Sequence, residues 1–216
     1  MGYRIITIDG PAGAGKTTIS RRLADELGCV YVDTGALYRG VAHGIKTQGV
    51  DWENDGALAL FLADLRLDFT ANGTRLLANG VDISDEIRTP EISMLASTTS
   101  ATPAVRAALL ETQRRIANEQ DAVFEGRDMG TVVFPKADHK FFLFADLAVR
   151  AQRRFEEMPK DKGSLDQVTQ DMAARDQNDS QRKEAPLKAA DDAIKIDSTH
   201  LNIDQVVEKI LKYVKK

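Results

Sequence analysis

The run Gly10-Pro11-Ala12-Gly13-Ala14-Gly15-Lys16-Thr17 constrains this chain more than any other stretch, because it meets the pattern G-x-x-x-x-G-K-[ST] at every required position. A short apolar strand, Ile5 to Ile8, leads into it. It opens into Lys16 to Leu27, where Ile19, Leu23 and Leu27 recur at i+4 and Gly28 supplies a stop. A glycine-rich bend between a buried strand and an amphipathic helix turns its backbone N–H groups toward one centre, and the helix adds the positive end of its dipole. The result is an anion site. The stretch from Gly10 to Thr18 would cradle the phosphates of ATP, Lys16 would bridge the outer ones, and the Thr17 hydroxyl would complete a Mg²⁺ shell.

The rest of the chain alternates short apolar runs with helical periodicity, the pattern of a parallel sheet covered by helices. Further strands are expected at Val30 to Val32, Ala122 to Phe124, Phe141 to Phe144 and Ala193 to Ile196. Pro103, after a Thr102 hydroxyl cap, starts a helix with Val105, Leu109 and Ile116 on its apolar face. Ser164 with Gln167 starts another, and Asn202 caps a last helix whose Ile203, Val206, Val207, Ile210, Leu211 and Val214 share one stripe. From Arg66 to Ile83 the alternation breaks. Two Asn-Gly pairs, Asn72-Gly73 and Asn79-Gly80, sit between apolar segments and predict a three-stranded antiparallel insertion, since tight primed turns need positive φ. Glu156 to Lys188 is rich in charge and poor in apolar stripe, and is expected to move. The 216 residues then make a single domain.

Several function classes fall away. The formal net charge of −4 does not suit a protein that grips a nucleic-acid backbone. Cys29 is the one cysteine, with neither a disulfide partner nor metal-ligand spacing, which suits a reducing compartment. No apolar run approaches the ~20 residues of a membrane span, and the amino terminus lacks the long apolar segment of a secretory signal. The expectation is a cytoplasmic protein that works on neither membrane nor nucleic acid.

Among phosphate-loop proteins, a GTPase would carry an N-K-x-D base reader, which this chain lacks; Asp25 to Gly28 matches D-x-x-G but closes the loop's own helix. Asp33-Thr34-Gly35-Ala36-Leu37-Tyr38-Arg39 and Glu125-Gly126-Arg127-Asp128-Met129-Gly130 instead read as loops after strands. In a parallel sheet such loops share the edge occupied by the phosphate loop. Arg39 and Arg127 then face the triphosphate, and a planar, permanently charged fork suits a second phosphate-bearing substrate. Arg150 and Arg154 lie at i and i+4 on one helix face, and Arg175 and Arg182 bracket the charged segment, as in a lid that closes over ATP and expels water. His43, His139, His200 and Trp52 carry no functional signal. These residues leave open a nucleotide kinase, a small-metabolite kinase of shikimate or sugar type, and a non-enzymatic nucleotide-dependent binding module.

Taken together, Gly10 to Lys16, Asp33 to Arg39, Glu86-Ile87-Arg88-Thr89, Gly126-Arg127-Asp128-Met129-Gly130-Thr131-Val132-Val133-Phe134-Pro135 and Ala185-Pro186-Leu187 resemble the bacterial cytidylate kinases, in order and over nearly the whole chain. The resemblance implies a P-loop kinase core with a five-stranded parallel sheet flanked by helices. A nucleoside-monophosphate-binding region with the antiparallel insertion would occupy about 35–102, and a mobile lid about 156–188. It also implies a monomer that moves the γ-phosphoryl group of MgATP to CMP or dCMP. By similarity, Arg39, Arg127 and Arg182 hold the CMP phosphate, with Thr34 where the family commonly has serine. Ser97, Arg106 and Asp128 read cytosine, and Arg175 and Asp179 the sugar. Lys16, Arg127, Arg150, Arg154 and Arg182 carry the transfer. Asn178 and Ser180 stand where a related enzyme has arginines, which lowers the positive charge of the lid. An acidic acceptor beside an arginine donor also matches the amino group and ring acceptors of cytosine, whereas uracil would set that carboxylate against a carbonyl.

Overall fold

The computed structural model describes residues 2–70, 73, 75–158 and 163–215. Along the chain run β1 (Ile5–Asp9), α1 (Lys16–Leu27), β2 (Val30–Asp33), α2 (Thr34–Gln48), α3 (Asp55–Asp64), β3 (Leu67–Phe69), β4 (Leu76–Ala78), β5 (Val81–Asp82), α4 (Pro90–Thr99) and α5 (Pro103–Ala117). Then follow β6 (Ala122–Gly126), β7 (His139–Phe144), α6 (Leu147–Glu156), α7 (Leu165–Gln181), β8 (Ile194–Asp197) and α8 (Ile203–Val214). Five strands form a parallel sheet in the order β2-β6-β1-β7-β8, and β3-β4-β5 form a separate antiparallel sheet. The five parallel strands expected from the sequence all form, each end within two residues of its predicted place.

The alternation of side chains across the pleat separates two cores. Ile6 and Ile8 of β1, Val123 of β6 and Phe141 and Leu143 of β7 face α1 and α8, where they meet Ile19, Leu23, Val206 and Ile210. Ile5 of β1 and Ala122 and Phe124 of β6 face the other way, toward Ile116 and Met129. Burial on both faces explains why these strands read as short apolar runs. The helix stops also follow the sequence. Gly28, at φ 64°, returns its N–H to the carbonyls of Ala24 and Asp25. The Asn202 side chain accepts from the Gln205 amide at 2.9 Å while the Gln205 side chain accepts from the Asn202 amide at 3.0 Å.

The insertion is three-stranded, as expected. Asn79 (φ 49°) and Gly80 (φ 82°) form the β4–β5 turn, both in the left-handed region a primed turn requires. Asn72 of the first Asn-Gly pair lies outside the described residues. Leu67, Leu76 and Ile83 bury themselves against Leu37 and Val41 of α2 and Phe61 of α3, so the small sheet is anchored on the helices that follow β2.

Two local expectations are corrected. The segment Asp33 to Arg39 is not a loop: Asp33 ends β2 and accepts from the Ala36 amide at 3.0 Å, so α2 starts at Thr34 and Arg39 stands in its second turn. Thr102 precedes α5 without making a side-chain capping bond; Pro103, with its preset φ and no N–H to satisfy, opens that helix. As expected, a helix starts at Ser164 within the charged stretch after Glu156: α7 is capped by the Ser164 hydroxyl, which accepts from the Gln167 amide at 3.2 Å. Val168 and Met172 bury against Ala151 of α6.

Candidate active site

The phosphate loop runs from the carboxyl end of β1, in the centre of the sheet, to the first turn of α1. Gly10 is forced by close approach: a Cβ there would lie 1.9 Å from the carbonyl oxygen of Leu143 on the neighbouring strand. Lys16 is buried beneath the loop and donates from Nζ to the Pro11 carbonyl at 2.7 Å. Burial first, and then the positive charge of Arg127, pull its ammonium down to about 7, against the opposing charge of Glu125. Thr17 and Thr18 are exposed at the wall of an open groove along α1. The Thr17 hydroxyl donates to Glu125 Oε1 at 2.9 Å, and the Tyr31 hydroxyl donates to Glu125 Oε2 at 2.6 Å. Burial and the nearby charge of Asp33 push the Glu125 carboxyl up from its ordinary range.

Beside this loop the chain assembles five guanidinium groups from four segments. Arg127, next after β6, pairs through Nε with Asp179 of α7 at 3.0 Å, and Asp179 also lies 4.0 Å from Arg182. Arg106 of α5 bonds Asp128, which lies 3.7 Å from Arg182. The Arg106 guanidinium sits 5.9 Å from the centre of the Tyr38 ring. Arg39 reaches back to Asp33 at 2.9 Å. Among the described residues Arg175 makes no ion pair, and its buried Nε has no hydrogen-bond partner. Burial first, then the charge of Arg127 and, more weakly, those of Arg39 and Arg154, pull Arg175 down to about 10. Burial likewise lowers Arg182, against the charges of Asp128 and Asp179. Five guanidinium groups thus share three carboxylates, Asp33, Asp128 and Asp179, in a largely buried cluster. Such a set favours an anion with several oxygens.

The family model described as cytidylate kinase matches residues 6–216, nearly the whole chain. The chain belongs to the cytidylate kinase family. A relative of that name from Geobacter sulfurreducens is 48% identical over 98% of this chain and 93% of its own length. Another from Syntrophotalea carbinolica is 48% identical over 97% of this chain and 91% of its own. A shikimate kinase from Bacteroides thetaiotaomicron, 13% identical, superposes over 99% of both chains with a TM-score of 0.52, a likeness of fold alone. P-loop kinases of other specificities therefore share this scaffold, and the acceptor must be read from side chains.

The sequence-predicted residues separate into two groups. Thr34, Arg39, Arg106, Arg127, Asp128, Arg175, Asp179 and Arg182 converge near the phosphate loop. Thr34, at the start of α2, donates its hydroxyl to the Glu125 carbonyl at 2.6 Å. Ser97 on α4 stands one step away, its carbonyl accepting from Ser100, whose own carbonyl accepts from Arg106 at 3.4 Å. Arg150 and Arg154 do not act as a pair. Arg150 is buried, donating to the carbonyls of Ala145 and Ala12 at 2.8 and 3.0 Å and to Asp176 at 2.6 Å, whereas Arg154 is exposed and lies 3.5 Å from Glu157. Four residues apart on α6, they still diverge because one is drawn inward by three acceptors. Sequence reasoning missed Glu125 as a hub, together with Tyr31 and Asp9. The available signal was a carboxylate at the end of each of two otherwise apolar strands.

Proposed function

We propose that this protein transfers the γ-phosphoryl group of MgATP to CMP or dCMP, giving ADP and CDP or dCDP. One observation carries the reading. Arg127 and Asp128 follow β6 directly, and the first is close enough to Lys16 to depress its ammonium while the second pairs with Arg106 and Arg182. Residues that would take a donor phosphate and residues that would read an acceptor base thus lie side by side at one strand end.

In this reading the loop amides from Gly13 to Thr18 and Lys16 hold the β and γ phosphates. Arg39, Arg127 and Arg182, with the Thr34 hydroxyl, take the phosphate of CMP, exchanging their present carboxylate partners for it. Asp128, Arg106 and Ser97 read cytosine, and Arg175 with Asp179 bind the sugar. The attacking oxygen is already anionic, so alignment and charge neutralisation suffice without a strong general base. Arg154 adds positive charge from the rim, and Arg150 keeps the loop shaped for the donor.

Mg²⁺ fits the residues present. It usually keeps several waters and takes one or two protein oxygens besides the phosphates, which suits the exposed Thr17 hydroxyl and the Glu125 carboxylate bonded to it. Thr17 and, through it, Glu125 would hold it; when bound it supplies charge neutralisation on the β and γ oxygens. In the same reading the protein is a monomer acting on free nucleotides in the cytoplasm, without nucleic acid. Among the described residues no helix is long and apolar enough to cross a membrane.

A coupled assay of ADP formation with CMP, dCMP, UMP, AMP, GMP and shikimate tests the reading. CMP and dCMP should lead by a wide margin. Turnover of shikimate alone, or of no acceptor, would overturn it.

A further inference from the structure

Asp9 is the last residue of β1, and its carboxylate is buried at 4% exposure. It is absent from the roles above, yet it makes two long-range bonds: Oδ1 accepts from the Met129 amide at 2.9 Å and Oδ2 from the Gly130 amide at 2.8 Å. Met129 and Gly130 open the single π turn Met129–Val133, which begins right after Arg127 and Asp128. On the other side, the residue next to Asp9 is Gly10, the first of the phosphate loop. One side chain thus ties the turn that carries the acceptor residues to the strand that launches the donor loop.

The contact is tight. A Cβ on Gly130 would meet the Thr7 hydroxyl at 3.1 Å, the Lys140 stem at 3.3 Å and Asp9 Oδ2 at 3.4 Å, so the turn lies directly on β1. The arrangement is also costly to keep ionised. Burial pushes the carboxyl up to about 6, helped by the charge of Asp128, while the two amides and Lys16 hold it down. A hydrophobic residue would avoid that cost in a position that only fills space. The carboxylate instead supplies two acceptors that two buried amides otherwise lack.

Resting on the proposed CMP kinase reading, we propose that Asp9 is a positioning residue: it holds the Met129 and Gly130 amides against β1 and so sets the distance between the acceptor-binding Arg127 and Asp128 and the ATP phosphates. The role separates acceptor from donor. ATP is gripped by the loop's own amides and Lys16, which Asp9 does not touch by hydrogen bond, whereas CMP depends on the turn that Asp9 anchors.

Asp9→Asn keeps the shape but replaces one acceptor oxygen with an N–H₂ group facing an amide. In the full chain it should lower kcat on the order of tenfold or more and raise KM for CMP severalfold, roughly the loss of one buried acceptor. Binding of a non-hydrolysable ATP analogue should weaken less than that of CMP, since the charge of Asp9 is the weakest of those acting on Lys16. Gly130→Ala, which retains the carboxylate but lifts the turn, should give the same split, and hydrogen exchange at the 129 and 130 amides should quicken in Asp9→Asn. A wild type active on CMP beside an Asp9→Asn variant with unchanged kcat and KM overturns the positioning role alone. Equal weakening of CMP and ATP analogue also overturns it, as a general loss of structure would. A wild type inactive on CMP sinks the activity reading and this role with it.

Discussion

Arg150 on α6 donates to the carbonyl oxygen of Ala12 at 3.0 Å, joining the phosphate loop to a helix 138 residues further along the chain. The same guanidinium bonds the Ala145 carbonyl and Asp176, so one side chain fastens the loop, the end of β7 and α7 together. A lysine has three donors but on one nitrogen, and cannot place them at both the Nε and the Nη1 positions used here. Arg150→Lys should therefore lower the thermal midpoint by about 5 °C, from a loss of ~2 kcal/mol, and weaken binding of an ATP analogue severalfold. Differential scanning calorimetry with a nucleotide titration checks both; an unchanged midpoint would show that the fork is dispensable.

Lys16→Met should cut phosphoryl transfer by about 10²-fold or more while leaving the circular dichroism spectrum intact. The side chain is buried, but among the described residues its one hydrogen bond is to the Pro11 carbonyl, and burial disfavours its charge. Removing it costs the fold little and the reaction much. Near-wild-type turnover would remove Lys16 from the proposed mechanism.

The same lysine makes a pH prediction. In the free protein its ammonium is pulled from 10.5 down to about 7. Between those values the unfolded chain holds a proton that the folded one has released, so the free fold gains stability as pH rises through this window. A bound polyphosphate favours the charged form, so ATP binding above pH ~7 must take up a proton and weaken as pH climbs. Calorimetry at pH ~8 in buffers of different ionisation enthalpy should detect that uptake, and Lys16→Met should abolish it. Uptake that persists in the variant would place the proton elsewhere.

Asp128→Asn removes the charge that Arg106 and Arg182 share. We expect kcat/KM for CMP to fall about 10²-fold and the preference for CMP over UMP to narrow, because the amide can face a carbonyl as well as an amino group. Equal losses for both substrates would mean that Asp128 does not read the base.

The insertion offers a control distant from the chemistry. Nothing lies within 4 Å of a Cβ placed on Gly80, so Gly80→Ala tests backbone conformation alone at φ 82°. A loss of about 1 kcal/mol, or ~3 °C in the midpoint, is expected, with activity unchanged. A larger loss would mean that the small sheet unravels when its turn is strained.

The residues that read correctly from sequence are those whose role is local. Ile6 and Ile8 announce a buried strand, Gly28 a helix end and Asn79-Gly80 a hairpin, because each depends on neighbours a few positions away. Arg150 and Arg154 misled for the opposite reason. Their i, i+4 spacing puts them on one helix face, but acceptors 26 and 138 residues distant turn Arg150 inward while Arg154 remains at the surface. Asp33 shows the boundary case: it could have been recognised as a cap three residues before Ala36, yet its pairing with Arg39 arises only once α2 has formed.

From the order of its residues alone, the chain determined that a phosphate loop would sit between a strand and a helix, that a parallel sheet would carry it, and that arginines would gather at the same edge. Tertiary structure decided which carboxylate or carbonyl each of these cations is paired with, and left the buried Nε of Arg175 without a partner among the described residues. It also brought Glu125 under Thr17, and Asp9 under Met129 and Gly130, across 108 to 121 residues. The physical reason is the range of the forces. Helix caps and hydrophobic period act within a turn or two, whereas the burial that shifts Lys16, Asp9 and Glu125 exists only after distant segments have closed over them.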